Sequence, residues 1–424
     1  MTPERSPLIL HFWLLGTWLL SYPITVLSKY LHRRMGADPR RFQERLGKSG
    51  PDSTGKVIWF HAASLGEVSQ IGALAAELVQ KNGTEMLVTT TTPAGAEWVA
   101  KTMPYAHHRF APIETPSAVR QFLGSWQISV AIFIEGDLWP RLVRGTYAQG
   151  IPQVLLNARH SRTRLRFATV FSSLLSSFHL VTCRSLTIAD DVRGLGLRED
   201  QVHVLPDLRL TLPRLATDLA QIEPLKNAVG HRPLWLAAST HPADEKTVLT
   251  AHKEVFLASP ETLLIIAPRH PKRAEHLRKM AHELGLKTAQ RSLGEDITAG
   301  TQVYLADTLG ELGVLYTLCP IAFLGGSFGS EGGHNPYEPV SFNTALLYGP
   351  NVKNFSDAYA ALAQDGAALQ IQEPAQLGAA VVKLMQTGRA GKMAEAGAEF
   401  MNDTQDCLSD YVTLVQSVLE SSQR

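Results

Sequence analysis

The sequence predicts an α/β protein with two Rossmann-like domains facing a central cleft, preceded by an apolar membrane-anchor helix. Three observations carry this. Short apolar runs alternate with helical stretches, the pattern of parallel sheets covered on both faces. The 424 residues exceed what one hydrophobic core usually supports. A polar segment without aromatic residues at about 211–230 separates two such series. The expected parts are an anchor with a basic juxtamembrane segment (1–45), a first domain (46–210) and a second domain (211–424) that includes a terminal helix near 404–421.

Residues 6–28 carry no charged side chain, and Lys29, His32, Arg33 and Arg34 follow. About 20 apolar residues in a helix match the roughly 30 Å hydrocarbon core of a bilayer. Trp13, Trp18 and Tyr22 suit its interface, and the basic cluster suits the cytoplasmic side. The basic residues follow the apolar run and no small-x-small site is present, which argues against a cleaved signal peptide. Pro23 is placed to kink or end the helix, and a single span and an interfacial anchor both remain open.

In the first series the strands are read at 57–60, 85–90, 129–134, 153–157, 180–183 and 202–205. In the second they are read at 233–238, 262–267, 303–305, 321–324 and 344–348. In open sheets of this kind, ligands bind beyond the carboxyl ends of the strands, so the residues just after each strand are the candidates for chemistry.

Composition narrows the class. The chain is 45% apolar and 19% charged with a formal charge of +1, which gives no bulk attraction to nucleic acid. Cys183, Cys319 and Cys407 form no CxxC pair and suggest neither a disulfide framework nor a zinc site, and no motif points to a cofactor.

The run from Gly325 to Pro339 (GGSFGSEGGHNPYEP) follows an apolar strand. Its glycines, Gly326 and Gly333 among them, permit close approach of main-chain N–H groups to a phosphate. Ser327 and Asn335 lie within it, and Glu338 just past it is placed to accept hydrogen bonds from ribose hydroxyls. Ser239, Thr240 and Arg269 follow two other strands and suit a phosphate or carboxylate. Thr308 reads as a helix cap with Glu311 reaching back, its amides adding to an anion site.

The first strand runs into His61-Ala62-Ala63-Ser64-Leu65-Gly66-Glu67. Glu67 suits a general base, Gly66 leaves room for a substrate, and Ser64 lines the same turn. Ser64 and Glu67 also have the spacing of a capping box, and the two readings are level. Glu135 and Asp137, beside Trp139, suit a hydroxyl-bearing acceptor or simply a helix start at Pro140. Arg159, Arg162 and Arg164 form a basic patch suited to an anionic acceptor or to anionic membrane lipid.

In this order, the segments Arg41–Gly47, Ser64-Leu65-Gly66-Glu67, Leu138-Trp139-Pro140, Asn157-Ala158-Arg159, Ser239-Thr240-His241, Pro268–Pro271, Asp307–Leu312 and Gly332–Pro336 followed by Glu338 resemble the 3-deoxy-D-manno-octulosonic acid (Kdo) transferase family over nearly the whole chain. The resemblance implies a GT-B-type inverting glycosyltransferase on the cytoplasmic face of the inner membrane. It would move Kdo from its cytidine monophosphate conjugate (CMP-Kdo) to a phosphorylated, lipid IVA-like lipid A precursor, without a metal. Glu67 then matches the family's general base. Ser327, Gly333, Asn335 and Glu338 match its donor motif, and Arg269 its basic residue near the donor, with Asp137 completing the catalytic set. The chain departs from the pattern at Asp137, where a second glutamate is usual, at Leu205–Arg209, where a lysine-bearing motif is usual, and at His160, where leucine is common. The alternatives are a nonhydrolysing sugar-nucleotide epimerase and a weakly active or noncatalytic paralogue of the pathway.

Overall fold

The computed structural model describes residues 7–50, 55–136, 138–404 and 406–421, and leaves the side chain of Arg162 undescribed. The chain forms two compact units. One comprises the chain up to Leu212 together with the segment after Thr404, and the other is Pro213–Thr404.

The first unit holds a seven-stranded sheet in the order β3-β2-β1-β4-β5-β6-β7, with every pair parallel. Its strands are β1 (Lys56–His61), β2 (Glu85–Thr90), β3 (His107–Phe110), β4 (Gln127–Ile134), β5 (Gln153–Ala158), β6 (Leu180–Cys183) and β7 (Val202–Val204). Successive side chains of β1 enter opposite cores: Val57 and Trp59 pack in one, Ile58 and Phe60 in the other. That is the period-2 consequence of a strand buried on both faces, and it explains why the run reads as continuously apolar.

The second unit repeats the plan with β8 (Leu234–Thr240), β9 (Leu263–Pro268), β10 (Thr288–Gln290), β11 (Val303–Leu305), β12 (Ile321–Leu324), β13 (Ala345–Tyr348) and β14 (Ala368–Gln370). The order is β10-β11-β9-β8-β12-β13-β14, again all parallel. In each sheet the chain reverses its direction of winding once, between β1 and β4 in the first and between β8 and β12 in the second. Such switch points open a crevice past the strand ends, where ligands bind.

Two expectations are corrected. The terminal helix, Cys407–Ser421, belongs to the first unit and not the second. Tyr411, Val412 and Val415 complete the core over β1 and β4, and the Tyr411 hydroxyl donates to the Pro206 carbonyl at 3.0 Å. The apolar amino end is not one helix. It forms α1 (Leu8–Leu19) and α2 (Ser21–Arg34), bent by 76° at Leu20, and neither is long and apolar enough alone to cross a membrane. Pro23 supplies the cause. Its ring would meet the Leu19 carbonyl in a continuous helix, whereas in the first turn of α2 its missing N–H costs little.

α1 is fastened to the body. Leu10 is fully buried in the core. The Arg141 guanidinium donates to the Leu14 carbonyl and to Thr17 Oγ1, and Trp13 Nε1 donates to Glu114 at 3.0 Å. Glu114 also accepts from the main-chain N–H groups of Arg141 and Leu142 at 2.9 and 3.0 Å. Leu8, Phe12, Leu15, Trp18, Tyr22, Val26, Leu27 and Tyr30 remain exposed along α1 and α2. His32 is not part of the basic surface: it is buried, bonding the Asp38 carbonyl through Nε2 and accepting from Arg45 Nε through Nδ1.

Candidate functional site

Glu67 sits where β1 ends, at the switch point of the first sheet. Ser64 caps the short helix Leu65–Val68 by accepting from the Glu67 N–H at 3.4 Å, and Glu67 Oε2 reaches back to the Ala63 N–H at 2.7 Å. The capping geometry is real, and it leaves Glu67 largely buried, at 8% exposure. Glu67 lines a cavity of about 590 Å³. Arg159 and Thr91 add polar wall, while Ile24 and Leu31 of α2 and Met35 just past its end add apolar wall. Gly66, in the same turn, has no neighbour closer than 4.0 Å to the position a Cβ would take.

Behind this cavity lies a buried polar network. Gln70 Nε2 donates to Glu135 Oε1 at 2.8 Å, and Gln70 Oε1 accepts from Asn157 Nδ2 at 2.7 Å. Asn157 Nδ2 also donates to Asp207 Oδ1 at 2.9 Å. Arg209 bridges Asp207, at 3.1 Å, and Glu135. Glu135 and Asn157 hold φ of 58° and 56°, left-handed values that cost a non-glycine residue roughly 1 kcal/mol or more and persist where surroundings dictate them. Arg209, at the departure from the family pattern, thus closes the network. Gln70 and Asp207 were not among the expected site residues; Gln70 carries no motif signal.

Two expected acceptor contacts are corrected here. Glu135 is buried and its carboxylate is engaged inside the network, with Arg159, which also lines the cavity, approaching it at 3.7 Å. Arg164 is not a surface phosphate ligand. Its guanidinium donates to the carbonyls of Glu135 at 2.7 Å, Arg159 at 3.2 Å and Gly136 at 3.4 Å, and burial pulls its pKa down to about 10. Gly136 holds φ 136°, which strains any residue with a Cβ, and a Cβ there would also displace that guanidinium. Asp137 and the Arg162 side chain lie outside the described residues.

In the second unit the switch point brings together the ends of β8 and β12. Ser239 holds φ 52°, and Thr240 is buried with its Oγ1 lacking a partner among the described residues. The helix Pro242–Ala258 starts at His241, and its third residue, Asp244, is fully buried. Asp244 accepts from the N–H groups of His241 at 2.9 Å, Gly326 at 2.7 Å and Phe328 at 3.2 Å. Burial still pushes its pKa up. Asp244 was also missing from the expected site residues, although an acid three residues after His241, in His241-Pro242-Ala243-Asp244, is a helix-start signal.

The glycine-rich loop is therefore internally tied. Gly333 N–H donates to the Gly326 carbonyl at 2.8 Å, and Ser327 Oγ donates to Leu324 O at 2.8 Å while accepting from the Gly349 N–H at 2.9 Å. This corrects the expected donor contacts of the Ser327 hydroxyl and the Gly333 amide, and likewise of the Gly326 amide: these groups shape the loop. Asn335 accepts from the Tyr337 N–H at 3.2 Å and faces Glu338 Oε1 at 3.5 Å. Burial raises the Glu338 pKa, with Asn335 and Arg269 opposing. Arg269 is exposed and lies near enough to act on Glu338 electrostatically. The His241 and His334 rings stack, Nε2 to Nε2 at 3.0 Å, and burial lowers the pKa of His334 to about 4.

Thr308 does not cap the helix, although Glu311 does reach back to it. The helix begins at Leu312, and Thr308 hydrogen-bonds the Glu311 carboxylate, which Arg291 clamps at 2.7–2.8 Å through Nε. No group of three His, Cys, Asp or Glu side chains suited to a metal occurs among the described residues.

Two parallel sheets, each with a crevice at its switch point, form a GT-B-type fold. Solved structures share the fold. A UDP-GlcNAc 2-epimerase from Neisseria meningitidis matches at TM-score 0.59 and 13% identity, covering 86% of this chain and 100% of that one. MurG from Acinetobacter baumannii matches at 0.55 and 13%, covering 85% and 99%. Fold alone leaves both chemistries open, and sequence decides between them. Residues 40–212 match the family described as 3-deoxy-D-manno-octulosonic-acid transferase (kdotransferase). A probable mitochondrial Kdo transferase of Arabidopsis thaliana is 34% identical over 76% of this chain and 76% of its own length. The Kdo transferase of Haemophilus influenzae is 29% identical over 90% and 92%. The chain belongs to the Kdo transferase family.

Proposed function

We propose that this enzyme transfers Kdo from CMP-Kdo to a phosphorylated, lipid IVA-like lipid A precursor, with inversion and with Glu67 as general base. The observation that carries the reading is the cavity of about 590 Å³ at the first switch point, which pairs Glu67 and Arg159 with an apolar wall from α2. A sugar hydroxyl, an anionic group and a lipid would each find a matching surface there.

The acceptor hydroxyl loses its proton to Glu67 and attacks the anomeric carbon of Kdo from the face opposite the phosphate. The bond from that carbon to the phosphate oxygen breaks, and cytidine monophosphate leaves with the electron pair. Arg269 answers the charge growing on the leaving group. Glu338 receives the ribose hydroxyls, and Ser239 and Thr240 line the phosphate side. The tying of the loop to Asp244 supports a preorganised donor site, one that needs little reordering when the donor binds. The exposed apolar face of α1 and α2, with Lys29, Arg33 and Arg34 at its end, supports attachment to the anionic inner leaflet by lying in the interface.

Mass-tagged CMP-Kdo, supplied with and without the lipid acceptor, tests the reading. Tagged Kdo on the lipid with release of cytidine monophosphate is expected. Donor epimerised or unchanged in the presence of acceptor would refute it.

A further inference from the structure

A second cavity of the first unit, of about 430 Å³, shares two wall residues, Gly136 and Trp139, with the cavity of Glu67. Its size falls in the usual range for small-molecule sites, roughly 300–1,000 Å³. Its walls are mostly apolar, with Ile9, Leu10 and Trp13 from α1, Leu138 from the loop after β4, and Phe167 and Phe171 from the helices that follow β5. Among the described residues, the one charged side chain in the wall, Arg164, is committed to three main-chain carbonyls. A phosphate or sugar would therefore meet little here that could bind it. Ile9, Trp13, Trp139 and Phe167 around this space are 56%, 42%, 41% and 41% exposed. Large apolar side chains left half in water around a concave space mark a surface that is covered in use.

We propose that this cavity takes one acyl chain of the lipid acceptor, whose sugar then lies in the adjoining cavity with its hydroxyl at Glu67. The inference rests on the proposed lipid acceptor, and the shared wall is what ties the two spaces to a single ligand. Gly136 and Trp139 mark the passage: the ligand crosses from polar to apolar surroundings at the loop that the Arg164 clamp holds. The acyl chain thereby sets the register of the sugar against Glu67, so acylation state is read by the protein as well as by the membrane.

Two variants narrow the cavity. Val170→Phe adds bulk from its inner wall, and Thr163→Trp does so from its exposed rim, where folding does not depend on core repacking. Each is assayed with CMP-Kdo on two acceptors, a tetra-acylated glucosamine disaccharide bisphosphate and the same disaccharide bisphosphate stripped of acyl chains. The expected result is a fall of at least about tenfold in kcat/KM for the acylated acceptor, with the deacylated one changed less than about twofold. Retention on anionic phospholipid vesicles is expected to be unchanged. Equal losses on both acceptors, or no loss on either, overturn the proposal. Vesicle retention falling in step with acylated turnover also overturns it, and assigns the cavity to membrane phospholipid. Wild-type protein inert toward both acceptors would fail the underlying reading, whereas wild-type turnover of both with insensitive variants would fail the acyl site alone.

Discussion

Replacing Arg164 by methionine separates a structural clamp from a surface phosphate ligand. Methionine keeps much of the aliphatic stem and removes the guanidinium. Three acceptors lose their donor, of which the Glu135 carbonyl at 2.7 Å is buried, while those of Arg159 and Gly136, at 3.2 and 3.4 Å, reach water more readily. A hydrogen bond to a charged group contributes about 1.5–3 kcal/mol, and the longer pair contributes less. Recovering the cost of keeping a desolvated guanidinium offsets part of this. The net expectation is a loss of about 2–4 kcal/mol, measured by urea unfolding at neutral pH. The loop of Glu135 and Gly136 should loosen, raising acceptor KM without a steep salt dependence. A stability change within about 0.5 kcal/mol, together with an acceptor KM that climbs with salt, would refute the clamp and restore the surface role.

Three further outcomes follow from the geometry. Asp244→Asn removes the charge that gathers three N–H groups, and should destabilise by about 2–4 kcal/mol while speeding hydrogen exchange at the Gly326 and Phe328 amides; unchanged exchange would count against the tie. His252 is fully buried, accepts from Trp235 Nε1 at 3.2 Å and bonds the Gln302 carbonyl at 2.9 Å, and burial lowers its pKa to about 4. The unfolded chain therefore takes up this proton first, so stability should fall by up to about 3 kcal/mol as pH drops from about 6.5 to about 4 and then level off, and His252→Gln should flatten that slope in urea unfolding. Phe12→Ser, Trp18→Ser and Tyr22→Ser together should cut retention on anionic vesicles by at least about tenfold with little change in Tm, since all three side chains are exposed; full retention would remove the interfacial face.

The central strands were legible because burial on both faces makes them continuously apolar. The strands the sequence reading passed over, β3, β10 and β14, all lie at sheet edges, where one side lacks a neighbour and polar residues such as His107 and Thr288 are tolerated. The bend at Leu20 was half legible: Pro23 announced a break, but only packing of Leu10, Thr17 and Trp13 on the body shows where α1 goes. At the site, Glu67 was singled out by its place after β1, and the structure sets it in the wall of the cavity there. Arg164 and Ser327 were misread because sequence shows which groups can bind a phosphate and not which are already bonded at home. Asp244 stayed hidden for the complementary reason. Its spacing marks a helix start, and its second function comes from β12 lying beside β8, a neighbour 82 residues away in the chain.

The most direct test of the account is single-turnover transfer of Kdo from CMP-Kdo to the lipid acceptor by wild-type protein and by Glu67→Gln. Glutamine can still accept from the Ala63 N–H, so the turn and the fold are preserved while the proton acceptor is lost. The account predicts Kdo-bearing lipid from the wild type and a rate lower by about 10²-fold or more in the variant, with Tm and CMP-Kdo affinity retained. A variant that transfers Kdo at close to the wild-type rate would contradict it.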